Sequence, residues 1–386
     1  IRDSTIGNEN TYDPGVEPGF DTSLTAALKA GYVMTDTPYA ASAGYLLNAA
    51  ELYLPDRAVG RLVETPAEIT ATLERFVEFD GVLDPDTTTS AFVAGYDFIA
   101  DGAEATADEI DEQIVDKQTG EGGAARLIND EWTSDELEAG LIDADPDLAS
   151  ISAHFDHNRA VPALADANPS ADLFTTSDVR NSDVVGNLLD ALVLSIGCHS
   201  GLPVPDVELA LTDTDDWAQT FAEQGATYIG NTGYGYGDSE LVAYSERLQE
   251  LFAEQLRTGA VVGAAKMAAK QAYFAELAAV STYDAKVLSE WTLYGLPMWQ
   301  VGGDYGTGLD APTPPADGPV LPPTSAVQPP VELTVGSTGP NGLSRNTTDR
   351  GDYYDQDGNT IAVQFRPVQP SVERDVTVPG RRAHGV

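Results

Sequence analysis

Hydrophobic positions along the chain form short strand-like runs separated by stretches of helical periodicity. Residues 191–196 are apolar except for Ser195, and similar runs lie at 89–97, 148–153, 225–230 and 291–295. Apolar runs of about four to eight residues between turn signals are typical of strands buried on both faces of a parallel sheet. The alternation predicts an α/β fold in which a mostly parallel sheet is flanked by helices.

One predicted helix carries a clear start signal. Thr65 is expected to be the N-cap, Pro66 occupies the first helical position, and Glu68 completes a capping box. The apolar residues that follow recur at helical spacing, and we expect them to face the core: Ile69, Leu73, Phe76 and Val77.

The character of the chain changes at Gly302. Residues 303–330 contain eight prolines and no apolar period, which predicts a semi-rigid linker. Residues 331–386 are predicted to form a β-rich, incomplete sandwich with a hairpin at Asp357-Gly358. The α/β domain is expected at 1–302, with an N-terminal subdomain at 1–120 and a catalytic subdomain at 121–302. Because the chain starts at Ile1, we expect it to be a piece of a longer precursor.

The net charge of the chain makes some classes of binding partner improbable. The chain has 62 acidic and 20 basic residues, a formal net charge of −42 and a pI near 4.1. This excess is typical of proteins from salt-loving archaea, and an acidic extracellular protein is the alternative. Nucleic acid is excluded as an expected partner because phosphate binding needs a basic surface. No apolar run reaches the length of about 18 residues that a membrane-spanning helix needs.

Cys198 is the chain's single cysteine, so no disulfide forms within this chain. It follows the 191–196 run, between Gly197 and Gly201. Parallel sheets carry their chemistry just beyond the carboxyl ends of the strands, which favours a nucleophile at this position. The alternative is a thiol buried as a small apolar side chain.

Two histidines follow the neighbouring 148–153 run. A cysteine nucleophile needs a base to form its thiolate, and histidine is the usual one. His154 directly follows the run and is the predicted partner of Cys198, with His157 as the alternative. Asp97 or Asp156 is the candidate that orients the imidazole. A strand ending in histidine, followed by a strand ending in cysteine, is the order found in caspase-like peptidases.

Several segments resemble the gingipain-like family of caspase-fold cysteine peptidases (clan CD) in the same order along residues 30–300. They are Val33–Tyr39, Leu54–Leu62, Gln249–Tyr273 and Trp291–Met298. The resemblance implies a caspase-like sandwich, a secreted, extracellular or cell-surface endopeptidase and a polypeptide substrate. It also implies a trailing immunoglobulin-like domain. We expect a monomer.

The expected chemistry assigns a role to each candidate residue. Cys198 attacks the scissile carbonyl, and His154 protonates the leaving amine. Backbone N–H groups of Gly197 and Cys198 are the predicted oxyanion donors. Tyr234 and Tyr236, in a glycine-rich loop after the 225–230 run, are expected to line the substrate cleft.

No cofactor is required by this chemistry. A structural calcium ion is one interpretation of the alternating aspartates, because calcium binds hard oxygen ligands; a solvated turn is the other. These residues are Asp143, Asp145 and Asp147. Two further functions stay open: a catalytically inactive caspase-fold surface or binding protein, and a transpeptidase that uses the same cysteine and histidine.

Folding is predicted to depend on salt. At molar salt the Debye length falls to about 3 Å, so repulsion among the surplus carboxylates is largely screened. We expect the melting temperature to rise when NaCl or KCl is increased from about 0.1 M to molar concentration, measured by circular dichroism. A melting temperature that stays constant or falls would contradict this prediction.

Overall fold

The computed structural model describes most of the first 302 residues and short segments of the tail. The chain divides into two compact units, residues 1–311 and 312–386, and each is described by itself. The described residues are 9, 12, 14, 23–47, 50–83, 89–115, 123–165, 172–180, 188–205, 216–257, 259–302, 343–348, 351–356, 360–361 and 369–370.

A six-stranded sheet forms the centre of the first unit. Its strands lie in the spatial order β12-β11-β10-β6-β4-β5. They are β4 (Ala91–Gly95), β5 (Ala125–Ile128), β6 (Leu148–Ser152), β10 (Leu192–Ser195), β11 (Thr227–Asn231) and β12 (Trp291–Tyr294).

All neighbouring strands of this sheet run parallel except the edge strand β12, which is antiparallel to β11. Leu192 of β10 pairs with Leu148 of β6, and Ser195 pairs with Ile151. Strands β4, β6, β10 and β11 are buried along their whole length. This burial explains why the sequences of β4 and β10 are nearly continuous apolar runs rather than alternating ones.

Smaller strands lie around the central sheet. They are β1 (Gly44–Leu47) with β2 (Ala50–Tyr53), β3 (Val82–Leu83) with β13 (Gln300–Val301), and the three-stranded group β7 (His154–Phe155), β8 (Arg159–Val161) and β9 (Phe174–Thr175).

Helices cover both faces of the sheet. In chain order they are α1 (Ser23–Lys29), α2 (Thr37–Ala40), α3 (Pro66–Glu78), α4 (Ala100–Ile110), α5 (Ser134–Glu138), α6 (Thr176–Arg180), α7 (Trp217–Gln224), α8 (Tyr244–Gln255), α9 (Val262–Glu276) and α10 (Thr282–Glu290). One core cluster joins the sheet to α4, α8, α9 and α10. A second joins its other face to α5, α6 and α7. The α/β arrangement with a mostly parallel, helix-flanked sheet is as the sequence predicts.

Helix α3 begins as predicted but faces solvent more than predicted. The capping box of Thr65 and Glu68 is confirmed, because each side chain bonds the other residue's backbone N–H. The apolar stripe, however, does not enter the core: Leu73 is 43% and Val77 73% exposed. The helix lies outside the layers that cover the sheet, and its Phe76 ring packs edge-on against Trp299 at 5.0 Å.

The central sheet crosses the predicted boundary at residue 120. Strand β4, from the predicted N-terminal subdomain, pairs with β6 from the predicted catalytic subdomain over five residue pairs. Residues 1–302 lie in one compact unit, and the division into subdomains at residue 120 stays a prediction.

The second unit is described only in four short strands. Strand β14 (Leu343–Thr348) pairs antiparallel with β15 (Gly351–Gln356), and β16 (Thr360–Ile361) pairs antiparallel with β17 (Gln369–Pro370). The predicted linker at 303–330, the 331–335 strand and the Asp357-Gly358 turn lie outside the described residues. The incomplete sandwich stays a prediction.

None of the helices in the described part of the chain is long and apolar enough to cross a membrane.

The capping box gives a local test of stability. In Thr65→Ala the N–H of Glu68 loses its side-chain acceptor, so we expect the free energy of unfolding to fall by about 1 kcal/mol, measured by urea denaturation. Thr70→Ala is the matched control, since it removes the same hydroxyl from an exposed position of the same helix, where it bonds the Pro66 carbonyl at 2.7 Å. Equal losses in the two variants would contradict the assignment.

Candidate active site

Cys198 and His154 follow neighbouring strands at the same edge of the sheet. His154 comes two residues after β6 ends at Ser152, and Cys198 comes three residues after β10 ends at Ser195. Because β6 and β10 run parallel, their carboxyl ends meet at one edge. The two side chains line a single pocket there with the loop that follows β11; its lining residues are Phe98, Ile99, Ala153, His154, Ile196, Gly197, Cys198, Gly235, Tyr236 and Gly237.

Glycines allow the loops around this pocket to approach closely. A methyl group at Gly197 would overlap the Phe155 ring, and one at Gly235 would overlap the carbonyl oxygen of Ile196. The Asn231 side chain, at the end of β11, donates to the same Ile196 carbonyl at 2.7 Å. The Cys198 loop and the loop that follows β11 are therefore fixed against each other.

The Cys198 thiol is half-buried and faces a carbonyl. Its Sγ lies 3.8 Å from the carbonyl oxygen of Gly235. Burial raises the pKa of the Cys198 thiol to about 11; the Gly235 contact lowers it, and the carboxylates of Glu290 and Glu9 raise it further. At neutral pH the thiol is protonated in this arrangement.

His154 is held between two aromatic rings. Its ring centroid lies 5.8 Å from that of Tyr96 and 6.0 Å from that of Phe98. The Tyr96 hydroxyl donates to the carbonyl of Val161 at 2.8 Å and accepts from the His154 backbone N–H at 3.4 Å. These contacts hold the imidazole at the rim of the pocket that contains the thiol.

His157 lies outside the residues that line this pocket. It is 5% exposed, and its Nδ1 lies 2.7 Å from the Tyr12 hydroxyl, which also accepts from the His157 backbone N–H at 3.1 Å. Because the hydroxyl accepts from the backbone, we assign it as the donor to Nδ1. Burial lowers the pKa of His157 to about 4, and Arg159 and His199 lower it further against the opposing effect of Asp156.

Sequence reasoning missed a buried hydrogen-bonded contact next to the cysteine, between His199 and Glu9. His199 Nε2 lies 2.6 Å from a carboxylate oxygen of Glu9, and both side chains are essentially fully buried. The ring of Tyr12 stacks on His199 with centroids 3.5 Å apart. Residues near the start of the chain thus pack against the residue that follows Cys198. No local pattern around Glu9 signals this contact, because the partners are 190 residues apart.

The two aspartates proposed to orient the imidazole, Asp97 and Asp156, make hydrogen bonds to other residues. Asp97 is exposed, and its backbone N–H donates to Asp130 at 2.8 Å. The Asp156 carboxylate accepts from the Arg159 guanidinium, with Nε at 2.7 Å, and from the Asn158 backbone N–H at 3.0 Å. The Asp156 carboxylate therefore stabilises the turn that it begins.

Of the two predicted oxyanion donors, the Gly197 N–H already has a hydrogen-bond acceptor. The Gly197 N–H donates to the Ser195 hydroxyl at 3.1 Å, so it is directed back toward the strand end. This N–H would have to leave the Ser195 hydroxyl to donate to a substrate carbonyl, and the role of Gly197 stays a prediction. The backbone N–H of Cys198 stays a predicted donor as well.

The two tyrosines of the glycine-rich loop have different surroundings. Tyr236 lines the pocket, and its hydroxyl accepts from Lys286 Nζ at 3.0 Å. Tyr234 packs edge-on against His199 at 4.5 Å, and its backbone N–H donates to Glu9 at 3.4 Å. Of the two tyrosines, Tyr236 is among the residues that line this pocket and Tyr234 is not; their roles toward a substrate stay predictions.

The predicted calcium ligands do not converge. Asp143 and Asp145 are exposed, and Asp147 accepts from the backbone N–H and the hydroxyl of Ser90 at 2.5 and 2.7 Å. Among the described residues, the carboxylates whose oxygens gather within 4.8 Å of one another are those of Glu109, Glu250 and Glu254. The geometry therefore favours the solvated turn at 143–147.

Acid should destabilise the fold through His157. An unfolded histidine has a pKa of about 6.5, whereas that of His157 is about 4, so the folded state binds fewer protons between these values. The stability is present above pH 6.5 and is lost as the pH falls toward 4, by up to about 3 kcal/mol. We expect His157→Gln to show a smaller loss between about pH 7 and pH 5 in urea unfolding. Parallel pH dependences in the two proteins would contradict this.

No family model matches the chain, and no curated protein matches it. Among solved structures, it is similar to the complex of the Porphyromonas gingivalis RgpB pro- and mature domains, with 13% sequence identity and a TM-score of 0.48. This match covers 70% of this chain and 61% of that chain. It is also similar to a structure described as a protease, with 15% identity, a TM-score of 0.44, and coverage of 70% and 60%. The chain thus spans about 60% of the length of these proteins. The similarity assigns no role to any residue.

Proposed function

We propose that the chain is a cysteine endopeptidase of the gingipain-like, caspase-fold type, with Cys198 as nucleophile and His154 as its acid–base partner. The observation that carries this proposal is the shared pocket. A thiol and an imidazole from neighbouring parallel strands line one cleft at the carboxyl edge of the sheet. Open sheets bind their ligands at this edge, and a thiol beside an imidazole is the minimum needed for acyl transfer.

The reaction follows from these two groups. The Cys198 sulfur forms a bond to the peptide carbonyl carbon, and the thiol proton passes to His154. The oxyanion of the tetrahedral intermediate is stabilised by the Cys198 backbone N–H. The intermediate collapses to a thioester as the C–N bond breaks, and His154 gives its proton to the leaving amine. Water then adds to the thioester, with His154 taking and returning a proton, and releases the free thiol and a carboxylic acid.

The high pKa of Cys198 determines when the proton moves. Because burial holds the pKa of the thiol at about 11, the free protein contains little thiolate at neutral pH. Proton transfer to His154 then accompanies attack on the bound substrate. The closing of the cleft by substrate also excludes water and strengthens the interaction between thiolate and imidazolium.

The proposal includes the setting of the enzyme. Its substrate is a polypeptide, it needs no cofactor for the chemical step, and it acts as a monomer outside the cell or at its surface, in a salt-rich medium. The motif resemblance and the net charge of −42 support this setting. Transfer of the acyl group to an amine instead of water would use the same thioester, and this transpeptidase variant needs only a different acceptor.

One observation favours a non-catalytic binding protein as the second candidate. A half-buried, protonated thiol that contacts a carbonyl is typical of a structural cysteine rather than an activated one. In that case the cleft holds a polypeptide without cleaving it.

Mutation of the two pocket residues separates these functions. The change in peptide cleavage is measured for Cys198→Ala and His154→Ala in high salt, with a peptide library and mass spectrometry. We expect each variant to lose on the order of 10³-fold or more of the cleavage rate, as removal of a nucleophile or its base does.

His157→Gln is the matched control, because it replaces a histidine of the same loop that lies outside the pocket lining. It should keep most of the cleavage rate. Cleavage that survives in Cys198→Ala, or is lost in His157→Gln while His154→Ala remains active, would contradict the assignment. A wild-type protein that binds the peptides but cleaves none would favour the binding protein.

A further inference from the structure

A second pocket lies at the edge of the sheet, beyond β12, and shares no lining residue with the Cys198 pocket. It is formed between α2, α9 and the start of β12, and it encloses about 340 Å³, part of it open solvent. Its polar lining includes Asp36, Thr37, Arg57, Lys266, Lys270, Ser289 and Thr292. Three of these seven side chains are basic, in a chain whose net charge is −42.

The two lysines of this pocket are deeply buried. Lys266 is 8% exposed and Lys270 is 2% exposed, although the whole chain has only five lysines. Lys270 Nζ donates to the Trp291 carbonyl at 2.8 Å. In the part of the chain that the structure describes, the Lys266 ammonium has no hydrogen-bond partner. An ammonium that has no partner in the protein and lies in a largely buried side chain is available to bind a group of opposite charge from solvent.

The carboxylate of this pocket, that of Asp36, is already paired with a cation. Asp36 accepts from both the Nε of Arg61, at 3.3 Å, and its Nη2. Such a two-pronged pair places the single negative charge of the carboxylate against the guanidinium. Asp36 therefore neutralises Arg61 first and leaves Lys266 and Lys270 undercompensated. Burial accordingly lowers the pKa of Lys266 to about 8 and that of Lys270 well below its usual value, although Asp36 opposes both shifts.

Arg57 extends the positive lining to the surface. Its side chain is 60% exposed; it donates to the Ser42 hydroxyl at 2.6 Å and lies 3.7 Å from Asp56. A negatively charged group that enters from solvent would meet this guanidinium first and the two ammonium groups behind it.

We propose that this second pocket binds a compact anion, held by the ammonium groups of Lys266 and Lys270 with Arg57 at its mouth. Chloride, sulfate and a free carboxylate share the required chemistry, a small negative charge that accepts N–H hydrogen bonds. The anion supplies the charge that Asp36 cannot, and it links α9 to the edge of the sheet. The site differs from general screening of the acidic surface because it saturates.

Binding should also take up protons. An anion beside Lys266 and Lys270 favours their charged forms and raises both pKa values. The charged groups that act on these lysines are Asp36 and Glu290, and Arg57 is the other basic group of the pocket lining. None of them is a histidine, so proton uptake near pH 8 reports on the lysines themselves.

The test is calorimetric titration of the full chain near pH 8 with sodium chloride, sulfate or acetate. The ionic strength is kept at about 1 M with sodium MES, whose bulky sulfonate serves as the reference anion. Two buffers with different protonation enthalpies are used. We expect a saturable heat that changes with the buffer, and a melting temperature that rises and reaches a plateau. The salt that gives the plateau identifies the anion.

Lys266→Met is the diagnostic variant, because methionine fills the space of the buried stem without its charge. It should abolish the saturable heat and the proton uptake while the protein stays folded. Lys29→Met removes the same charge from an exposed helical position and should leave both unchanged. Cys198→Ala should bind as the wild type does, so the result is independent of peptidase activity. A linear rise in melting temperature, equal in wild type and Lys266→Met, would overturn the proposal, and so would heats that none of the three anions saturates.

Discussion

The parallel register of β6 and β10 is the constraint on which the candidate site depends. Ser195 pairs with Ile151, so the two strands end at the same level, and the residues that follow them enter the same space. A shift by one residue would turn every side chain of β10 to the opposite face of the sheet. The burial of both strands on both faces prevents such a shift, because each apolar side chain has a place in one of the two core clusters.

The loops beyond these strands are fixed by contacts from distant parts of the chain. Asn231 bonds the Ile196 carbonyl, and Glu9 and Tyr12 enclose His199. The peptide that carries Cys198 is thus held from the β11 side and from the start of the chain. This fixed position suits the proposed role of Cys198, because acyl transfer needs a nucleophile held in place.

Burial favours the uncharged form of each titratable group discussed above. It keeps the Cys198 thiol and the His157 imidazole neutral, since both lose charge when water is removed. It leaves Lys266 and Lys270 in need of a counter-charge that the nearby Asp36 gives to Arg61. In a chain with a net charge of −42, the carboxylates are abundant at the surface but scarce at this site. The placement of the acids, rather than their number, therefore controls the local chemistry.

The sequence alone determined the features that depend on neighbouring residues. The alternation of apolar runs predicted the sheet, and Thr65 with Glu68 predicted the start of α3. Tertiary structure decided the rest: that His154 shares the thiol's pocket, that the Gly197 N–H turns back to Ser195, and that α3 exposes Leu73 and Val77. The physical reason is the separation along the chain over which each interaction acts. Caps and apolar periods act over a few residues, whereas the pair of Glu9 and His199 joins positions 190 residues apart and exists only once the sheet has formed.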